Sequence, residues 1–251
     1  MNAWDDLNPT RAGIAGDWHG YSAAAVRAIE YAKEQGAEAI LHVGDFAFLF
    51  EDRFMRNVQQ ALEDAQLALA FVPGNHDDYR QLDALEAEHG TTAIPMRPNI
   101  FYLPRNYRWT WQGQRFLALG GAHSVDRPWR TPGREWWGRE TITWAEAQKA
   151  CDDGPTDIMI CHDVPHGVRI PCIEGNPFGF PQAEIDAADC HRQLLRQVVD
   201  LVTPKMLFAG HYHCRHTDVL DGGYYQTIVH ILDSDSAPVD KNVAILELPT
   251  T

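Results

Sequence analysis

The chain has 251 residues, 45% of them hydrophobic and 22% charged, a make-up that fits a folded water-soluble chain with a sizeable core. Its formal net charge of −14 argues against non-specific binding to duplex DNA or an anionic membrane, because both need basic surface. A small nucleotide stays open, since a bound metal can reverse the local sign.

Arg11–Asp17 (RAGIAGD) is a short apolar run ending in Gly-Asp. Ser22–Gln35 has helical spacing, with Ser22 as the expected cap and Gly36 as the stop. Ala39–Asp45 (AILHVGD) is a second apolar run ending in Gly-Asp, and Arg53–Gln66 reads as a helix. Leu67–Asn75 (LALAFVPGN) is a third run, followed by a short helix over Tyr79–His89. This strand–helix alternation marks an α/β layer with mostly parallel strands. Near-continuous apolar strands suit a sheet covered on both faces.

The middle of the chain changes character. Tyr107–Gly121 reads as two strands joined by a tight turn at Gln112-Gly113. Gly120–Gly138 is rich in Gly, Pro, Trp and Arg, and Thr143–Asp152 is a helix capped by Thr143. Asp157–Cys161 is a strand ending at His162. Val164–Gln182 holds four prolines and three glycines, a loop long enough to carry function. A helix over Ala187–Val202 precedes a strand over Lys205–Ala209, which ends in Gly210-His211. Arg215–Val219, Tyr224–Leu232 and Asn242–Leu248 close the pattern as strands. No linker splits the chain, so the expectation is one domain over 1–251, an α/β sandwich of two mixed β-sheets flanked by helices.

No stretch approaches a membrane span of about 20 apolar residues. The acidic N-terminal MNAWDDLNPT is expected not to be a signal peptide. The cysteines (Cys151, Cys161, Cys172, Cys190 and Cys214) are odd in number and never form C-x-x-C, which points to reduced thiols and a cytoplasmic setting.

In FVPGNHD, Phe71–Asp77, an apolar run empties into Gly-Asn-His-Asp. Such residues are poor core and good chemistry. Five expected strands end in this way: at Asp17-Trp18-His19, at Asp45, at Asn75-His76-Asp77, at His162 and at His211-Tyr212-His213. Ligands of open α/β sheets bind beyond the carboxyl ends of strands. Carboxylates, an amide oxygen and imidazoles without thiolate suit Mn²⁺, Fe or Zn²⁺. Two Asp, one Asn and four His are too many for one ion and fit two, a known device for phosphate-ester hydrolysis, with one carboxylate bridging. Taken singly, each Gly-Asp is often only a turn or helix cap.

The ordered set GDWHG, GDF, GNHD, a strand-end His and GHYH resembles the signature of the calcineurin-like metallophosphoesterases, from Asp17 to His213. The resemblance implies two divalent ions, Mn favoured over Fe or Zn. Asp17, His19 and His213 would hold the first ion, Asn75, His162 and His211 the second, and Asp45 would bridge them. A metal-bridging hydroxide would be the nucleophile. His76 would sit at the leaving group as a catalytic acid or charge stabiliser. Asp77 would support its imidazolium.

Other histidines keep ordinary expectations. His42 reads as core, His89 and His191 as helix surface, and His166, His216 and His230 as loop or strand residues. In GAHSVDRPWRTPGREWWGRE, Gly121–Glu140, the arginines 127, 130 and 134 interleave with Trp129, Trp136 and Trp137. His123, Arg127, Arg130 and Trp137 are candidate substrate contacts, since arginine forks onto phosphate and tryptophan stacks on bases. The alternative is that the tryptophans pin the loop while the arginines offset an acidic surface. GGA-x-SVDR segments resemble those of bacterial and bacteriophage members of the family.

The functional expectation is a phosphodiesterase acting on a small, nucleotide-sized ester, cyclic nucleotides included. A phosphomonoesterase is the alternative, protein phosphatases among them. Asp45 is followed by FAFLFEDR, which departs from the serine/threonine phosphatase pattern of tyrosine, valine, aspartate, arginine and glycine. A nuclease and a non-catalytic scaffold are further readings. Scaffold members typically lack the His after Asn, which here is His76.

Overall fold

The computed structural model describes residues 4–249. The first residues of MNAWDDLNPT and the last two of the 1–251 span lie outside the described residues. In chain order the first half contains β1 (Arg11–Ala15), α1 (Ser22–Glu34), β2 (Ala39–His42), α2 (Asp52–Ala65), β3 (Leu69–Phe71), α3 (Tyr79–His89), β4 (Ile94–Arg97) and β5 (Ile100–Tyr102). The second half contains β6 (Arg108–Trp111), β7 (Gln114–Leu119), α4 (Trp144–Asp152), β8 (Ile158–Cys161), α5 (Gln182–Val202), β9 (Met206–Ala209), β10 (His216–Asp221), β11 (Gln226–Ile231), α6 (Val239–Asn242) and β12 (Val243–Glu247).

These strands form two six-stranded sheets, ordered β12-β1-β2-β3-β5-β4 and β10-β11-β9-β8-β7-β6. Each has a parallel centre with one antiparallel strand on either edge. Both are therefore mixed, as the strand pattern implies.

Register sorts the apolar residues into layers. Ile14, Leu41, Ala70 and Phe101 align across the first sheet and meet Phe116, Ile158 and Phe208 of the second in the inter-sheet core. The alternate residues Ile40, Leu69 and Ile100 pack outward with Ile29, Val58 and Leu62 of the first helical layer. On the other side Leu117, Met159, Leu207 and Val229 pack with Leu195, Val198 and Val199 of α5. The order is helix, sheet, sheet, helix. Each fully buried Leu, Ile or Phe contributes about 1.5–3 kcal/mol of apolar burial, and both faces of each sheet carry such residues. That is why the strands read as continuous apolar runs rather than alternating ones.

Local signals largely hold. The β6–β7 turn has Gln112 at φ 47° and Gly113 at φ 70°, the paired left-handed turn that matches strand twist. Thr143 caps α4 in a full capping box with Glu146. Ser22 does not cap α1; Tyr21 takes the cap position and offers no side-chain bond. Helix α5 starts five residues earlier than expected, directly after Pro181. Strands β4 and β5 carried no expectation, being only four and three residues long.

Two expectations are corrected. His191 is buried in α5 rather than on its surface, bonded through Nδ1 to Asp163 Oδ2 at 2.8 Å. Cys172 and Cys214 are joined in a disulfide, leaving Cys151, Cys161 and Cys190 free. Disulfides persist in oxidising surroundings, so the cysteine pattern no longer argues for a reducing compartment. Among the described residues, no helix is long and apolar enough to cross a membrane.

Candidate active site

The ends of β1, β2 and β3 in one sheet, and of β8 and β9 in the other, open onto the same rim of the sandwich. Asp17, Asp45, Asn75, His162 and His211 therefore meet, although they are far apart in sequence. The turns that bring them together are unusual. Asp17, His19, Asp45, His211 and His213 have φ of 52°, 46°, 55°, 69° and 50°, left-handed values that L-residues rarely adopt and that cluster at functional sites. Backbone bonds hold these turns: His19 N donates to Asp45 O at 2.8 Å and Asp17 N to Gly44 O at 3.2 Å. His76 N donates to Asp45 Oδ1 at 2.8 Å and His211 N to Asp17 Oδ2 at 2.9 Å. Two glycines permit the approach. A Cβ on Gly74 would overlap the Asp45 carboxylate, and one on Gly210 would stand 2.5 Å from Asp17 Oδ1.

Two triads of ligand atoms form, His19–Asp45–His76 and Asp17–Asp45–His162, each with all atoms within 4.8 Å of one another. Asp45 belongs to both, the position expected of a bridge. His162 Nε2 lies 3.3 Å from Asp45 Oδ2 and 3.0 Å from Asn75 Oδ1. His19 Nε2 lies 3.4 Å from Asp45 Oδ2. The His213 ring stands 5.0 Å from that of His19, and the His211 ring 5.2 Å from that of His162. All seven expected ligands thus gather. His76, expected near the leaving group and not as a ligand, also has Nε2 3.9 Å from Asp45 Oδ2.

The donor set fits metal ions on its own evidence. Asp17 Oδ1 and His19 Nε2 are buried and have no hydrogen-bond partner, a costly condition for polar atoms that no cation satisfies. Burial pushes the Asp17 carboxyl up to about 7, against the pull of His162. Burial likewise disfavours Asp45, yet the charge and hydrogen bond of His162 hold it well below the usual carboxylate range. His162 rises to about 9 despite burial, because Asp45 and Asp17 face it. Two buried carboxylates thus draw positive charge onto the surrounding imidazoles, a charge that bound cations would supply in their place.

Outer contacts orient the ligands, as metal sites require. His162 Nδ1 is 2.8 Å from Val43 O, which aims Nε2 inward. Asn75 Nδ2 donates to Ser124 Oγ at 3.0 Å, and Ser124 Oγ donates to Glu140 Oε2 at 2.9 Å, so the Asn75 oxygen is left to face the centre. Asp163 receives Tyr212 Oη at 2.5 Å and His191 at 2.8 Å, tying both histidine-bearing loops to α5. Sequence reading passed over Ser124, Glu140, Asp163 and Tyr212. The available signals were the Asp after His162 and the Tyr between His211 and His213.

Asp77 does not support His76. Its carboxylate accepts from Ala47 N at 2.9 Å and Gly74 N at 2.7 Å, clamping the two loops together. The partner of His76 is Arg130, with Nη2 2.7 Å from His76 Nε2, and Arg130 is held in turn by Asp126 at 2.6 Å. Burial, with help from Arg130, lowers His76 to about 3, so its ring is neutral here and accepts from the guanidinium.

Of the four candidate substrate contacts, only Arg130 reaches the centre. His123 and Arg127 both bind Glu184 of α5, at 2.8 and 2.9 Å. Trp137 packs on the first sheet's core near Tyr79, and Arg127 lies over Trp136. For those residues the pinning alternative describes the structure. Arg105, fully enclosed, secures the same loop through the carbonyls of Gly120, Thr141, Arg139 and Glu140.

A cavity of about 540 Å³ opens beside Asn75, His76, His211 and His213. Arg130 lines one wall, and Phe178 and Phe180 of the 164–181 loop line another. The Cys172–Cys214 disulfide joins that loop to the residue after His213.

Known proteins share the fold. The family model described as calcineurin-like phosphoesterase matches residues 10–215. A dimetal phosphatase from Danio rerio is similar in structure, with a TM-score of 0.59, 14% identity, and 96% of this chain and 93% of that one covered. A Thermus thermophilus protein has a TM-score of 0.56 at 14% identity, covering 96% of this chain and 99% of its own. GAP50, the anchor in the inner membrane complex of Plasmodium, has a TM-score of 0.50 at 11% identity, with 96% and 79% covered. No curated protein matches the chain in sequence. With the candidate ligands of the strand ends assembled around Asp45 and the family model spanning every one of them, the chain belongs to the calcineurin-like phosphoesterases, a family of metal-dependent phosphoester hydrolases.

Proposed function

We propose that the protein hydrolyses small phosphodiesters of nucleotide size, cyclic nucleotides included, using two divalent ions held by Asp17, His19, His213, Asn75, His162 and His211 with Asp45 between them. Oxygen and imidazole donors with no thiolate suit manganese, iron or zinc, and manganese is the ion we favour. Bound there, the ions supply Lewis acidity and a water nucleophile available near neutral pH. The chain's own residues do the rest. Arg130 faces the reacting phosphoryl group as a guanidinium donor. His76 stands between Arg130 and Asp45 to stabilise the leaving oxygen, or to protonate it once substrate displaces the Arg130 contact and the ring takes up a proton.

The observation that carries the diester reading is the charge around the cavity. Arg130 is the guanidinium next to His76, and Asp126, Asp186 and Asp189 also line the cavity, three carboxylates against Arg130 and an Arg192 that is committed to the carbonyls of Val164, Pro165 and Val168. A diester carries one negative charge there, whereas a monoester carries about 1.5–2 at neutral pH. This lining suits the smaller charge. The phosphomonoesterase reading has the cavity's openness to small esters in its favour. A scaffold role has the complete ligand set against it.

The test compares turnover of 4-nitrophenyl phosphate, bis(4-nitrophenyl) phosphate and 2′,3′- and 3′,5′-cyclic nucleotides by Mn²⁺-loaded protein, with a chelated control. Chelator-sensitive preference for diesters supports the proposal. A monoester preference transfers it to the phosphatases, and no metal-dependent turnover on any ester overturns it.

A further inference from the structure

The 164–181 loop carries two aromatic rings that the core does not use. Phe178 is 66% exposed and Trp129, on the neighbouring loop, 65% exposed. Their rings are not scattered. Phe178 and Phe180 lie 5.9 Å apart, and Phe180 and Trp129 5.8 Å apart. Together they form a continuous aromatic surface beginning inside the cavity that contains His76 and the strand-end histidines. A contiguous apolar surface left in water beside a charged centre marks a binding site.

The loop is also built to hold the rings in place. Asn176 Nδ2 donates to Phe180 O, and Phe180 N donates to Asn176 Oδ1, each at 2.9 Å. These bonds close the five residues 176–180 into a ring. Cys172 fastens the loop's middle to Cys214, and Arg192 of α5 holds its start by donating to the carbonyls of Val164, Pro165 and Val168. A loop braced at its start and middle and running directly into α5 presents its aromatics with little ordering left for a ligand to impose.

We propose that Phe178 and Phe180, extended by Trp129, form a subsite for a planar aromatic part of the ester, such as a nucleobase, with its phosphoryl group at Arg130 and His76. This rests on the proposed phosphoesterase reading and specifies which substrates it favours. Stacking suits any flat ring, because every base offers a π face. The carboxylates of Asp186 and Asp189 line the same cavity, beside an Arg192 already taken up by loop carbonyls, and disfavour rings that carry a further negative charge. The stacking residues are thus not the tryptophans of the 121–140 segment that the sequence suggests, apart from Trp129. They come mainly from the loop that follows β8.

Binding tests this without turnover. Dissociation constants for adenosine 5′-monophosphate and ribose 5-phosphate are measured by calorimetry on Mn²⁺-loaded wild-type protein and on the Phe178→Ala/Phe180→Ala variant. Wild type is expected to bind the base-bearing ester about 10-fold more tightly, and the variant to lose most of that difference. Phenyl phosphate tighter than ribose 5-phosphate extends the subsite to simple aryl groups, and 4-carboxyphenyl phosphate is expected to bind more weakly than phenyl phosphate. Equal affinity of wild type for the nucleotide and the sugar phosphate, or no binding of either, overturns the proposal. Because the readout is affinity, an active diesterase can fail this test and an inactive protein can pass it.

Discussion

Arg130 Nη2 stands 2.7 Å from His76 Nε2, and Asp126 holds the same guanidinium at 2.6 Å. The pair bridges two segments that sequence gives no reason to join, the end of β3 and the 121–140 loop. If both serve the leaving side of the reaction, their variants should separate from those of the ligands. His76→Ala is expected to retain its metal content while kcat falls about 100- to 10,000-fold. Turnover at the wild-type rate would remove His76 from the mechanism. Arg130→Ala should raise KM, and Arg130→Lys should not restore it, since an ammonium cannot reproduce the planar fork.

Asp45→Asn should lower metal content and activity together, because Asp45 belongs to both ligand triads. Metal analysis after dialysis decides the matter. Two ions per chain retained by the variant would show that the carboxylate does not bridge.

Asp163 receives bonds from His191, Tyr212 and the Val164 amide without lining the ligand triads. Asp163→Asn should weaken metal affinity about 10- to 100-fold, the usual effect of losing a group that orients ligands. Competition with a metal-chelating dye measures this. An unchanged metal affinity with lowered Tm would make Asp163 purely a packing element.

Thiol labelling checks the Cys172–Cys214 bond. Alkylation of the unfolded chain without reductant should modify three of five cysteines, Cys151, Cys161 and Cys190, and all five after reduction. Closing a separation of 42 residues contributes up to about 4 kcal/mol on the chain-entropy model. The Cys172→Ser/Cys214→Ser variant should therefore melt at a lower temperature.

Asp157 tests acid stability away from the centre. Hydrogen bonds from Arg115 and Lys205 hold its carboxyl at about 2 in the fold, below the unfolded value of about 3.9. A depressed folded pKa contributes stability fully above the unfolded value and loses it as pH falls through the folded one. Asp157→Asn should thus be less stable than wild type at pH 7, with the gap shrinking between about pH 5 and pH 2. A gap constant over that range would show that the ion pair contributes nothing.

The sequence by itself determined the layer type, the strand ends and which candidate ligands stand there, because those signals are local. An apolar run ending in Gly-Asp or Gly-Asn reads the same before and after folding. Residue type restricts metal chemistry without coordinates. The resemblance carried by GDWHG, GNHD and GHYH ordered the same residues. What only the tertiary structure decided are relations between segments distant in sequence. Asp77 clamps Ala47 and Gly74, leaving His76 to Arg130. His191 turns inward because Asp163 waits beneath it. Arg127 and His123 turn away to Glu184, and the rings beside the cavity come from the exposed Phe178 and the half-buried Phe180. Each depends on which surface faces another across the sandwich, and that is set by the closing of two sheets over one core, not by spacing along the chain.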